Sequence, residues 1–262
     1  ELEWPERHLG LQASQERKFP EVQRMAEIAE NRLDLSGILN LLDVLDPLIE
    51  PVSQEEVEKG PKKRIGVARD EAFHFYYRAN MEWLKRSGAE MIPFSPLNDS
   101  SLPPNLDGVV IGGGFPEVHA EKMSANQGMR EALREAITSD MPCYAECGGL
   151  MLLAEAVMIR DGTQYPMVGT IPGFVEMTQR LQNFGYCHAK LDKDLSFRGH
   201  EFHYSAWNEE LFEANAWTVK RHSDGKERKE GFKKGNLHAS YVHLYFPNAE
   251  AMISPMFGLE GL

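Results

Sequence analysis

The stretch CYAECGGLML, residues 143–152, places a cysteine between a short apolar run and a pair of glycines that open a helical pattern. The glycines permit the sharp turn and close backbone approach of a strand-to-helix elbow. Such an elbow exposes one side chain at the carboxyl end of a strand, where the N-terminus of the helix favours a thiolate. The pattern therefore predicts that Cys147 is a nucleophile. Two alternatives stand beside this prediction: a small buried hydrophobic residue, and a metal ligand through the C-x3-C spacing with Cys143.

Strands and helices alternate on the N-terminal side of this elbow. The strand-like runs are RIGVA (64–68), AEMIPF (89–94) and LDGVVIGGG (106–114), and the helical patterns are FYYRANMEWLKRSG (75–88) and GMREALREAITSD (128–140). This order predicts an α/β fold with a mostly parallel sheet, flanking helices and right-handed crossovers. Beyond residue 157 the sequence is hairpin-like and includes HSDGKE (222–227), which predicts an antiparallel extension.

A helical segment precedes the α/β region. PEVQRMAEIAENRL (20–33) has apolar residues at helical spacing, and Asp34 stands where it could cap a second helix, LSGILNLLDVL (35–45). The charged stretch at about 50–63 has the proline and glycine of a linker. We therefore expect a helical segment with its linker at 1–60 and an α/β domain at 61–262.

Composition and charge exclude several classes of protein. The net charge of −12 and the pI of about 5.3 argue against a nucleic-acid-binding protein, which carries a basic surplus. No apolar stretch reaches the ~18 residues of a spanning helix, so we expect no membrane segment. Three cysteines do not form a disulfide framework in a chain of 262 residues, and a cytoplasmic location is expected.

A cysteine nucleophile needs a base, and two segments concentrate histidines. ASYVHLYF (239–246) predicts a strand with Tyr241, His243 and Tyr245 on one face, while GHEFHYS (199–205) contains His200 and His203. A lone histidine on a strand is often only a packing residue. The pattern alone leaves both interpretations of these histidines open.

Six segments carry a resemblance to a known family. They are RIGVARDEAFHFYYRANMEWL (64–84), GVVIGGGFPEVHAEKM (108–123), YAECGGLMLL (144–153), YPMVGTIPG (165–173), GHEFHYS (199–205) and SYVHLYF (240–246). In this order they resemble the C-terminal class I glutamine amidotransferase domain of the cobyrinic acid a,c-diamide synthases, of the cobyrinate and cobyric acid synthase type. The resemblance implies a flavodoxin-like fold.

The resemblance also implies roles for particular residues. Cys147 corresponds to the nucleophile that attacks the side-chain amide of glutamine, and His243 to the base that activates it. The backbone N–H groups of Gly148 and of Gly113 or Gly114 are then the natural oxyanion donors, because glycines leave bare amides facing the tetrahedral oxygen.

The sequence differs from many class I amidotransferases at the position that would orient His243. Many class I amidotransferases have an acidic residue two positions after this histidine, and here that position is Tyr245. The family commonly lacks the acid, and Glu201 is a candidate orienting residue in its place. His203, in the same segment as Glu201, is a candidate for contact with a partner domain, and the resemblance requires no metal.

The implied activity is hydrolysis of glutamine to supply ammonia for ATP-dependent amidation of the a and c carboxylates of cobyrinate in cobalamin biosynthesis. LEWPERHLGL (2–11) resembles the end of the family's ATP-using domain, and these 262 residues contain no G-x-x-x-x-G-K-[ST] phosphate loop. We therefore expect an upstream synthetase domain that uses ATP and Mg²⁺, with no cofactor in these residues, and a corrin polycarboxylate as the acceptor. The alternatives are amidation of hydrogenobyrinate or nickel-sirohydrochlorin, a different thiol hydrolase, and a catalytically silent interaction module.

Overall fold

The computed structural model describes residues 20–42, 62–208 and 215–261. The chain divides into two compact units, Glu1–Glu58 and Lys59–Leu262, and each is described by itself.

Two helices form the described part of the first unit, α1 at Pro20–Arg32 and α2 at Leu35–Leu42. The side chain of Asp34 accepts a hydrogen bond from the backbone N–H of Gly37 (2.9 Å), which is the predicted helix cap. Residues 43–45 of the predicted second helix, and residues 50–61 of the predicted linker, lie outside the described residues.

The second unit contains strands throughout. They are β1 Lys63–Ala68, β2 Phe73–Phe75, β3 Ala89–Phe94, β4 Gly108–Ile111, β5 Gly113–Gly114, β6 Cys143–Glu146, β7 Ala156–Met158, β8 Gln164–Pro166, β9 Phe174–Met177, β10 Asn183–Lys190, β11 Ser196–His203, β12 Ser205–Trp207, β13 Trp217–Arg221, β14 Glu227–Glu230, β15 Phe232–Lys234, β16 Leu237–Ser240 and β17 His243–Leu244. The helices are α3 Arg78–Arg86, α4 Ala120–Ala125, α5 Gln127–Thr138, α6 Gly148–Leu153 and α7 Glu250–Phe257, with short 3-10 helices at Pro116–His119 and Phe246–Asn248.

The central sheet has the strand order β15-β16-β6-β4-β1-β3. All of these strands run parallel except the edge strand β15, which is antiparallel to β16. Numbered along the chain, the parallel strands are arranged 2-1-3-4-5, which is the flavodoxin-like order. The predicted α/β fold with a mostly parallel sheet is confirmed.

Side chains of the central strands alternate between two hydrophobic clusters. Val109 and Ile111 of β4 pack in one cluster with Leu133 of α5, whereas Val110 packs in the other with Trp83 of α3. Helices therefore cover both faces of the sheet, which is why the strands appear in the sequence as continuous apolar runs.

Three smaller sheets accompany the central sheet, and their strands pair antiparallel except β7 with β9, which pair parallel. Their strand orders are β14-β13-β10-β11-β17, β12-β9-β7-β8 and β2-β5. The β13–β14 hairpin contains the predicted Asp-Gly turn, with Gly225 at a φ of +71°. The antiparallel extension is confirmed.

Two local predictions are wrong. The segment 241–245 is not part of one strand, because β16 ends at Ser240 and His243 begins β17 in a different sheet, where it pairs with His200. The Glu230 carboxylate accepts a hydrogen bond from the N–H of Tyr241 and thereby ends the ladder of β16. The helix predicted from residue 75 begins later, at Arg78, because Phe73–Phe75 pairs with the glycine strand β5.

Candidate active site

Cys147 lies at the turn between β6 and α6, with φ of 50° and ψ of −101°. Its backbone N–H donates a hydrogen bond to the carbonyl oxygen of Ser240 (2.7 Å), which ties the turn to β16. A Cβ on Gly149 would overlap the carbonyl oxygen of Ile111, so the helix can start this close to β4 only with glycine at that position. The strand-to-helix elbow predicted from the sequence is present.

The glycine loop after β4 reaches the same end of the sheet. Gly114 has a φ of +158°, and a Cβ there would overlap the carbonyl oxygen of Ala72. A Cβ on Gly148 would lie 3.2 Å from the amide nitrogen of Gly114, and a Cβ on Gly113 would lie 2.7 Å from Cε1 of His243. The structure therefore brings Gly113, Gly114 and Gly148 together beside Cys147 and His243.

Aromatic rings enclose His243, whose exposed fraction is 4%. His200 stacks on its imidazole with ring centroids 4.8 Å apart, and Phe75 meets it edge-on at 5.1 Å. Nδ1 of His243 lies 3.5 Å from Oε2 of Glu146, and a hydrogen bond links the histidine to Cys147.

The charge state of His243 follows from these neighbours. Burial lowers its pKa, but the hydrogen bonds with Cys147 and Glu146 and the negative charges of both groups outweigh burial and raise the pKa to about 10. The imidazole is therefore protonated at neutral pH. A cation beside a cysteine sulfur is the environment that stabilises a thiolate.

Glu146 is a site residue that no motif in the sequence indicated. Its carboxylate is buried, and Oε1 accepts hydrogen bonds from the hydroxyl of Tyr144 (2.9 Å) and the backbone N–H of Leu244 (2.9 Å). The available signal was a charged residue at the end of a buried strand, since such a position requires a specific partner.

The structure does not bring Glu201 to His243. The Glu201 carboxylate instead pairs with Arg228 and lies 3.7 Å from Nε2 of His203. Burial raises the pKa of Glu201, but His203 and Arg228 outweigh burial and hold it below its ordinary value. The carboxylate that lies beside His243 is that of Glu146, not that of Glu201.

His203 belongs to the group around Glu201. Its Nδ1 lies 2.7 Å from the carbonyl oxygen of Ser205, and its ring stacks on Tyr241 with centroids 3.9 Å apart. These contacts account for its burial, and contact with a partner domain stays a prediction.

A cavity of about 910 Å³ opens beside His243, lined by Tyr77, Arg198, His200 and Tyr245 among others. The side chain of Tyr245 faces this cavity with an exposed fraction of 42%.

Two side chains that line the cavity have shifted pKa values. Burial, followed by the charge of His243, lowers the pKa of His200 to about 4, while burial raises the pKa of Tyr77 to about 12. A hydrogen bond of 2.5 Å joins the phenol of Tyr77 to Nδ1 of a neutral His200.

Two further findings concern the described ranges 20–42, 62–208 and 215–261. No group of three or more His, Cys, Asp or Glu side chains within them is arranged to hold a metal ion. No helix within them has the length and apolar character needed to cross a membrane.

The sheet order and the cysteine elbow define the fold of the class I glutamine amidotransferases. A solved structure described as a glutamine amidotransferase superimposes with a TM-score of 0.50 at 17% identity, covering 74% of this chain and 98% of that chain. The chain belongs to the CobB/CobQ-like glutamine amidotransferase domain family, whose sequence profile matches residues 64–251.

Two relatives are named cobyrinate a,c-diamide synthase. The protein of Listeria innocua is 39% identical over 97% of this chain and 58% of its own length. The protein of Dehalococcoides mccartyi strain 195 is 41% identical over 94% of this chain and 56% of its own length. The chain thus spans a little over half the length of these relatives.

Proposed function

We propose that this chain is the glutaminase part of a cobyrinate a,c-diamide synthase. The observation that carries the proposal is the placement of Cys147 on a strand-to-helix elbow, hydrogen-bonded to His243 and beside the amides of a glycine loop. A catalytically silent interaction module would not require a cysteine, a histidine and glycine amides to lie together.

The chemistry uses groups that lie together at the end of the sheet. The Cys147 thiolate attacks the side-chain carbonyl carbon of glutamine, forming a carbon–sulfur bond and a tetrahedral oxyanion that N–H groups of Gly148 and Gly113 or Gly114 stabilise. His243 gives its proton to the departing nitrogen, so that the carbon–nitrogen bond breaks and ammonia leaves. Water, deprotonated by His243, then attacks the γ-glutamyl thioester, which releases glutamate and regenerates the cysteine.

We infer the acceptor half of the reaction from the names of the relatives. Ammonia passes to an upstream synthetase domain, where ATP with Mg²⁺ activates the a and c carboxylates of cobyrinate for amidation. The family membership and the relatives, named cobyrinate a,c-diamide synthase, support this assignment.

The glutaminase is tested by measuring glutamate and ammonia released from glutamine. We expect turnover by the chain, with Cys147→Ser lowering it by about 10⁴-fold or more because no other thiol lies at the elbow. Cys143→Ala is the matched control: it removes a buried thiol four residues away and leaves turnover within about threefold. If Cys147→Ser keeps wild-type turnover, the assignment of the nucleophile is wrong.

The acceptor is tested separately, with a protein that also carries the proposed upstream domain. Given ATP, Mg²⁺, glutamine and cobyrinate, it should form the a,c-diamide, and Cys147→Ser should form it only with added ammonia. Diamide formed from a different tetrapyrrole but not from cobyrinate would overturn the acceptor assignment and leave the glutaminase intact.

A further inference from the structure

A histidine that passes protons at one ring nitrogen needs a partner that fixes the other. In this chain the position two residues after the histidine is Tyr245, an exposed side chain that faces the cavity. A carboxylate nevertheless reaches His243: Oε2 of Glu146 lies 3.5 Å from its Nδ1. The carboxylate comes from the residue immediately before the nucleophile.

The Glu146 carboxylate is held in one orientation. Its Oε1 accepts hydrogen bonds from the Tyr144 hydroxyl and the Leu244 N–H, both at 2.9 Å, and this leaves Oε2 directed at the imidazole. Tyr144 is itself fixed, because its ring stacks on His238 (centroids 5.7 Å apart) and meets Phe246 edge-on (5.4 Å). Burial keeps the Tyr144 phenol protonated by raising its pKa, so the phenol remains a donor.

The same carboxylate also fixes the backbone that carries the histidine. Leu244 directly follows His243, so the hydrogen bond from its N–H to Glu146 fixes the position of the backbone that carries the imidazole. Cys147 directly follows Glu146, and its N–H bonds Ser240 at the end of β16. The nucleophile and its base are thus joined through one residue.

We propose that Glu146 is the positioning residue of His243, the third member of a Cys147–His243–Glu146 triad; this rests on the proposed glutaminase function. The carboxylate accepts the hydrogen bond from Nδ1–H, which leaves Nε2 to exchange a proton with the sulfur of Cys147. The proton that the sulfur has given to Nε2 passes to the departing nitrogen, while the Glu146 carboxylate keeps its hydrogen bond to Nδ1–H.

The other described groups that face His243 cannot take this role. His200 of β11 is a neutral ring stacked on its face, and Phe75 of β2 carries no charge. Cys147 at the start of α6 is the reacting group. Glu201, the other buried carboxylate of β11, does not face His243, because it pairs with Arg228.

The test is Glu146→Gln in the full chain. The glutamine oxygen can still accept from Tyr144 and Leu244, but its NH₂ group would face Nδ1 and require the tautomer that cannot take a proton from Cys147. We expect kcat for glutamine hydrolysis to fall by about 10² to 10⁴-fold with KM within about threefold. The pKa of His243, followed by NMR of ring-labelled histidine, should fall by about 1 to 3.

Glu201→Gln is the matched control, since it removes an equally buried carboxylate that does not face His243. Its kcat and its His243 pKa should stay near the wild-type values. Tyr144→Phe is the second variant, for use if Glu146→Gln does not fold. It should lower kcat and the pKa of His243 in the same direction, by a smaller factor. An unchanged kcat and His243 pKa in a folded Glu146→Gln protein would overturn the inference while wild-type turnover still supports the glutaminase. A wild-type chain without turnover would instead overturn the proposed function.

Discussion

Cys147 has a backbone conformation that non-glycine residues rarely adopt. Its φ of 50° is positive, and it is one of three described non-glycine residues with this property, with Asn105 and Asp140. Such conformations cost about 1–3 kcal/mol each and persist only where the surrounding structure enforces them. At Cys147 the hydrogen bond to Ser240 and the close approach of Gly149 to β4 enforce it. The side chain held in this way is hydrogen-bonded to His243.

This strain predicts an unusual order of stability for variants of Cys147. Cys147→Gly should be more stable to urea than Cys147→Ala by about 1 kcal/mol, because removing the Cβ relieves the positive φ. Ala145→Gly, two residues earlier in the ordinary strand conformation of β6, is the control and should lose about 1 kcal/mol or more. If Cys147→Ala is more stable than Cys147→Gly, the positive φ at residue 147 is not strained.

At the scale of elements, β14 and β16 are joined by a buried carboxylate. Glu230, at the end of β14, accepts from the Ser240 hydroxyl (2.6 Å) and the Tyr241 N–H (2.7 Å). Burial, followed by the charge of Glu201, raises the pKa of Glu230 to about 7 from an ordinary value of 4.5. The folded state therefore holds the Glu230 proton to higher pH than the unfolded state.

The sign of the resulting pH dependence follows from this shift. Between about pH 4.5 and 7 the folded state binds more protons than the unfolded state, so the contribution of Glu230 to stability falls as the pH rises. The free energy of unfolding of wild type minus that of Glu230→Gln should decrease by at most about 3 kcal/mol across this range. Urea unfolding at several pH values measures it, and a difference independent of pH would contradict the pKa shift.

At the scale of the whole molecule, the two hydrophobic clusters lie on the two faces of the central sheet. Their buried members all fall between Ile65 and Leu259. The C-terminal helix α7 contributes to one of them through Ile253 and Phe257, and Phe257 fills the space beside Gly108 of β4. The second unit therefore has a complete core of its own.

A protein consisting of residues 62–262 should consequently fold and hydrolyse glutamine like the whole chain. We expect its thermal midpoint within about 3 °C of the wild-type value and an unchanged kcat/KM. Deletion of residues 250–262 should have the opposite result. It removes α7 and its buried side chains from the core, so the remaining chain should no longer show a cooperative unfolding transition. Loss of the fold in the 62–262 protein would show that the first unit contributes to the stability of the second.

Apolar runs, helical spacing and glycines at turns are local signals, and they are enough to predict the parallel sheet, its flanking helices and the elbow at Cys147. The sequence also placed the three glycines and His243 among the candidate site residues. It did not show which carboxylate faces the histidine, and Glu201 was chosen where the structure has Glu146.

The carboxylate partner of His243 can be read only from the folded chain, because the contact depends on where separate sheets meet. Residues 241–245 leave the central sheet instead of extending β16, and this brings Leu244 against a carboxylate 98 positions earlier in the chain. The direction of a side chain at such a junction depends on the path of the chain between the sheets. The two-residue alternation of a single strand does not predict that path.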